Sequence, residues 1–160
     1  MAAKNFRSHI CRSSQFRIIG YLPPWISYPS VINNVDLTKV THVNISFSYP
    51  DSTGALILAN GTDADLDSVV TVAHAYNVKV LLTIGGDAAI VGNIYHALIT
   101  TNQAGFVNSI VNYAVNHNLD GIDVDIEGDI LDGSILTSAQ YENFITQLGA
   151  LLHAQNKIMT

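Results

Sequence analysis

The chain has 160 residues, enough for one domain with a real core, and 48% of them are hydrophobic, an ordinary share for a globular protein. Only 12% are charged and the formal net charge is −6, with nearly half the acids (Asp120, Asp123, Asp125, Glu127, Asp129, Asp132) in one short stretch. No basic cluster tracks a face and no apolar run approaches membrane-spanning length. This argues against nucleic-acid and membrane partners and for an uncharged or cationic substrate.

Residues 1–15 are basic (Lys4, Arg7, Arg12), hold no acid and lack the apolar core of a signal peptide; they read as a disordered leader. The single cysteine, Cys11, excludes an intrachain disulfide. Arg17 to Tyr21 reads as a short buried strand closed by Pro23-Pro24, and His42 to Tyr49 as a second, ended by Pro50 and the turn residues Asp51 to Gly54. Asn60-Gly61-Thr62 is a glycosylation sequon in an expected loop, of consequence only in an exported chain. Asp65 to Tyr76 carries Leu66, Val69, Val70, Val72 and Ala73 at helical spacing, with Asn77 as a left-handed stop. Val78 to Ile84 is a nearly continuous apolar strand, as in a parallel sheet covered on both faces, and Gly85-Gly86 is expected to terminate it.

Thr101 is placed to cap a helix from Gln103 to His117, and Ser138 to cap another reaching Ala154. Between them, Gly121 to Ile126 is a fourth strand. Asn156 to Thr160 looks like the opening of a fifth. Repeated strand–helix units predict an α/β fold with a parallel sheet, of barrel or doubly wound kind. No G-x-G-x-x-G follows the first strand and no G-x-x-x-x-G-K occurs, which weakens a nucleotide-binding reading.

The run Asp120-Gly121-Ile122-Asp123-Val124-Asp125-Ile126-Glu127 is the richest feature. Its period of two puts Asp123, Asp125 and Glu127 on one strand face and Ile122, Val124 and Ile126 on the other. Same-face residues lie about 6.5–7 Å apart along a strand, and stacked carboxylates cannot all ionise cheaply. Burial and like charge should raise at least one pKa, which points to acid/base chemistry with a shared proton. An EF-hand reading fails, because Ser134 stands where the bidentate glutamate belongs and Val124 and Ile126 favour a strand. The six histidines show no metal-ligand spacing, and no cofactor is implied.

This run matches in full the D-G-x-D-x-D-x-E signature of glycoside hydrolase family 18, the chitinase and endo-β-N-acetylglucosaminidase family. Thr83-Ile84-Gly85-Gly86 resembles the family's S-x-G-G motif, Gly20-Tyr21 with Trp25 its first strand, and Asn44 to Phe47 its second. Motif order and spacing agree from about Arg17 to Thr160. The resemblance implies a TIM (β/α)8 barrel, of which residues 16–160 would hold about the first four strand–helix units, and a site at the C-terminal strand ends. It implies substrate-assisted retaining hydrolysis of β-1,4-linked N-acetylglucosamine, in chitin or a related oligosaccharide. Glu127 would be the acid, Asp125 would orient the substrate acetamide, and Asp123 would share a proton with Asp125, helped by the Thr83 hydroxyl. Tyr21, Phe47, Trp25 and Gly86 would line the sugar site, against plain readings as barrel core or turn residues. Gly128 stands where many members carry an aromatic, which touches substrate preference. The family leads to an expectation of secretion, although no signal peptide is recognisable. A chain of this length is expected to be an N-terminal fragment with little activity alone, and the alternative on the same scaffold is a non-catalytic chitin- or N-glycan-binding lectin.

Overall fold

The computed structural model describes residues 16–86, 88–127 and 136–160. The expected leader and Gly128 lie outside them. Strands and helices alternate in the order β1 (Ile19–Leu22), α1 (Tyr28–Ile32), β2 (His42–Pro50), β3 (Leu56–Leu58), α2 (Asp63–Ala75), β4 (Lys79–Gly86), α3 (Ala88–Thr101), α4 (Gln103–Asn116), β5 (Gly121–Ile126), α5 (Ser138–Ala154) and β6 (Ile158–Met159). The sheet order is β1-β2-β4-β5-β6, all neighbours parallel, with β3 a short antiparallel addition to β2. Parallel neighbours joined in sequence by crossover helices form the wall of a TIM barrel.

The parallel register ties the wall together in rows. One row runs Tyr21–Asn44–Leu81–Gly121–Ile158, and the next but one runs Ser46–Thr83–Asp123. Because side chains alternate along a strand, these rows share the inner face of the wall. The alternate rows, with Val43, Ile45, Val80, Leu82, Ile84 and Ile122, point outward into the hydrophobic core.

Helices close that core from outside. Helix α2 contributes Leu66, Val69, Val70 and Ala73; α4 contributes Phe106, Val107, Ile110 and Val111; α5 contributes Phe144, Leu148 and Leu152. The Phe106 and Phe144 rings stack with centroids 5.6 Å apart, and Tyr95 meets Phe106 edge-on at 5.8 Å. Each fully buried aliphatic or aromatic side chain contributes about 1.5–3 kcal/mol, so this outer layer carries most of the favourable energy.

The ends of these elements follow local chemistry. The Thr62 hydroxyl accepts from the Asp65 amide while the Asp65 carboxylate accepts from the Thr62 amide, so α2 opens with a capping box two residues before the expected start. Helix α5 opens on the same device with Thr137 and Gln140, so the cap is Thr137 and not Ser138. Helix α4 begins after Asn102 rather than Thr101, and no side-chain bond caps it. Asn77 takes the left-handed conformation expected of it, with φ of 58°. The glycine pair Gly85-Gly86 ends β4 from within, as its last two residues, both at positive φ (119° and 88°). Helix α3, helix α1 and strand β3 were not apparent in the sequence.

Candidate active site

The signature run can now be read position by position. Asp120 sits just before β5, at the end of the strand opposite Glu127. Its carboxylate accepts from the Val80 amide and from His74 Nε2, both at 2.8 Å, and lies 3.8 Å from Lys79 Nζ. It fastens the start of β5 to β4 and α2. Gly121 leaves room for β6, because a Cβ built there would meet the Ile158 carbonyl at 2.1 Å. Ile122, Val124 and Ile126 pack outward against the aliphatic core. Asp123 and Asp125 stand on the inner face, and Glu127 follows the strand's last residue and is exposed.

Asp123 is 7% exposed and its carboxylate accepts three hydroxyl hydrogen bonds. Tyr21 and Thr83 both donate to Oδ2 at 3.1 Å, and Thr160 donates to Oδ1 at 2.7 Å. These donors come from β1, β4 and the end of β6, so three strands converge on one carboxylate. Bonds from hydroxyls to a carboxylate are stronger than neutral ones and fix its orientation. The methyl that distinguishes Thr83 from serine is accommodated in a fully buried side chain.

Asp125 lies one step further along the inner face, opposite Gly85 in the register. Burial, reinforced by the neighbouring Asp123 charge, holds its pKa above the ordinary carboxylate value. This is the raised carboxyl expected from stacking acids along one strand. Gly85 is required here, since a Cβ would meet the Asp125 carbonyl oxygen at 2.2 Å. Burial likewise pushes the Tyr21 phenol above its usual range, with the Asp123 and Asp125 charges adding to the effect.

The aromatic candidates separate. Tyr21 joins the carboxylates through its hydroxyl although it is 55% exposed, which distinguishes it from ordinary core. Phe47 sits at an irregularity where β2 slips by one residue against β4, between Ser46 and Ser48. Such a bulge re-aims its side chain. The ring lies over Gly86, where an added Cβ would come within 3.3 Å of it, and its centroid is 6.3 Å from that of Tyr49. Trp25, in the loop after β1, is 79% exposed rather than packed under a loop. It joins none of the hydrogen bonds or ring contacts that link the other candidates among the described residues.

Sequence reasoning passed over two parts of this face. Thr160 was read only as strand, since its contact with Asp123 spans 37 residues. Asn44 and Ser46 line the inner rows at 1% and 3% exposure. Neither makes a side-chain hydrogen bond of standard geometry among the described residues, although the Asn44 amide lies close enough to the Tyr21 hydroxyl to influence it. Their alternation with Val43, Ile45 and Phe47 was the available signal. Among the described residues no cluster of His, Cys, Asp and Glu is arranged to hold a metal ion, and no helix is long and apolar enough to cross a membrane.

Comparison with known proteins gives a consistent answer. The family model for glycosyl hydrolases family 18 matches residues 17–160. A chitinase-like effector of Moniliophthora perniciosa is 33% identical over 115 residues, covering 71% of this chain and 26% of that protein. Chitinase D of Niallia circulans is 28% identical over 122 residues, covering 71% of this chain and 22% of its own length. Among solved structures, the GH18 chitinase ChiB of Flavobacterium johnsoniae aligns with a TM-score of 0.75 at 29% identity, over 92% of this chain and 46% of that one. The chain therefore spans about a quarter of the length of these curated relatives and just under half of that solved chain.

Proposed function

Because the chain belongs to glycosyl hydrolases family 18, we propose that the protein of which it forms at least part cleaves β-1,4-linked N-acetylglucosamine polymers of the chitin type, with retention of configuration. The observation that carries this reading is the inner face of β5, where a three-hydroxyl cradle holds Asp123 beside an Asp125 of raised pKa, with Glu127 at the strand's C-terminal end. Retaining glycosidases commonly use a carboxylate nucleophile, and this family instead recruits the substrate's own acetamide.

In the first step Glu127 gives its proton to the leaving glycosidic oxygen as the bond to the anomeric carbon breaks. The carbonyl oxygen of the 2-acetamido group attacks that carbon from the opposite face and forms an oxazolinium-type ring. Asp125, turned toward the sugar and carrying the proton it shares with Asp123, accepts from the acetamide N–H on its carbonyl oxygen and so steadies the developing positive charge. Water then opens the ring while Glu127 takes up a proton and is restored. Tyr21, Phe47, Trp25 and Gly86 line the sugar path in this reading, and chitin or a related N-acetylglucosamine oligosaccharide is the partner.

A second reading is a non-catalytic chitin- or N-glycan-binding lectin on the same barrel, which binds the sugar without cleaving it; two relatives, in Moniliophthora perniciosa and Moniliophthora roreri, are described as chitinase-like effectors. The retained Glu127 favours the enzyme. The test is hydrolysis of a chitin tetramer by the complete protein and by its Glu127→Gln variant, with binding followed by calorimetry. Cleavage by the parent, lost in the variant while binding persists, is expected. Binding without cleavage by the parent would establish the second reading.

A further inference from the structure

The bond from Thr160 to Asp123 is the shortest of the three in the cradle and the only one to Oδ1. Thr160 continues the β6 ladder, its amide donating to the Ile122 carbonyl at 3.1 Å and its carbonyl accepting from the Val124 amide at 2.9 Å. Its backbone is thus held on both sides of Asp123, which places its hydroxyl beside the carboxylate. The titratable groups around Asp123 are Tyr21 from β1 and Asp125 from its own strand, with Glu127 beyond; β4 and β6 present the neutral hydroxyls of Thr83 and Thr160.

Tyr21 and Thr83 both donate to Oδ2, while Oδ1 takes the Thr160 hydroxyl, so losing that donor would leave Oδ1 without a hydrogen bond among the described residues. We propose that Thr160 is a positioning residue for the reaction: by donating to Oδ1 it keeps Asp123 an acceptor in one orientation, and the shared proton stays on Asp125. This rests on the glycosidase reading above. The proton is then where it must be for Asp125 to turn from Asp123 toward the substrate acetamide. Removing the hydroxyl takes one of three donors from the Asp123 anion, which favours the proton on Asp123 more than before and spreads it over the two aspartates. The upward push on the Asp125 carboxyl by burial and by Asp123 is in keeping with this arrangement.

The experiment compares Thr160→Val, which keeps the shape and loses the O–H, with Thr160→Ser, which keeps the O–H, in the complete protein. For Thr160→Val the expected result is a loss of about tenfold in kcat with KM nearly unchanged. The acidic limb of its pH profile should move to higher pH. Thr160→Ser should restore both. Carboxyl-carbon NMR titration of the Asp123–Asp125 pair is read alongside, and its first deprotonation step should move up in the valine variant and return in the serine variant. That titration needs no turnover, so a protein that binds chitin without cleaving it still tests the cradle while refuting the glycosidase reading. An unmoved pH profile and titration in Thr160→Val would overturn the proposal. So would a serine variant as impaired as the valine one, since that marks a packing role.

Discussion

The two faces of this sheet are built from the same strands and obey opposite rules. On the outer face, Val43, Ile45, Leu82, Ile84 and Ile122 meet helix side chains in a dry layer whose contacts are interchangeable in kind. On the inner face, Asn44, Ser46, Thr83, Asp123 and Asp125 are held by named bonds or by burial alone, and each polar group there must be placed individually. One face stabilises the wall by area; the other gives up stability to concentrate charge where chemistry needs it. The difference teaches that substitutions should sort by face, with the outer ones changing stability and the inner ones changing turnover.

Measurements on the complete protein can break or sharpen that contrast. The largest effect is expected at the inner end of β5, where Glu127→Gln should lower hydrolysis by about a thousandfold or more, with the melting temperature unchanged. A comparable loss of stability in that variant would blur the two faces. On the outer side, Phe144→Ala removes a fully buried ring stacked on Phe106. It should cost about 3–5 kcal/mol by denaturant unfolding. Retained turnover per folded molecule would sharpen the contrast. Thr62→Ala, which breaks the capping box of α2 far from the carboxylates, should cost about 1 kcal/mol and leave the pH profile of activity unmoved.

The smallest effect is a pH slope in stability. Asp125 has a folded pKa raised above the ordinary 3.8. Its favourable contribution is therefore complete below that value and is lost as pH rises through the raised one. Asp125→Asn should flatten this fall in a denaturation series across mildly acidic pH. A series in which the variant and the parent run parallel would remove Asp125 from the account.

Much of the fold was legible because its signals are local. Strand β5 was bounded correctly at Gly121 and Ile126, since β-branched residues alternating with acids allow no helical reading. Asn77 announced the end of its helix. Cap positions slipped by a residue where two hydroxyls stand side by side, and the Gln140 partner of Thr137 decided between Thr137 and Ser138. Helix α3 went unread although its residues repeat at helical spacing as clearly as those of α2, while α1 and β3 are too short to show a period.

By itself, the sequence determined the alternation of strands and helices and the face of β5 that carries Asp123 and Asp125, because these depend on neighbours a few residues away; burial, the larger cause of the raised Asp125 pKa, came with the fold. Tertiary structure alone decided that Tyr21 and Thr160 join Thr83 on Asp123, that Asp120 fastens the far end of the strand, and that Gly85 and Gly121 are required by passing backbone. Those contacts join residues between 37 and 102 positions apart. No local propensity encodes such distances; the register of parallel strands does.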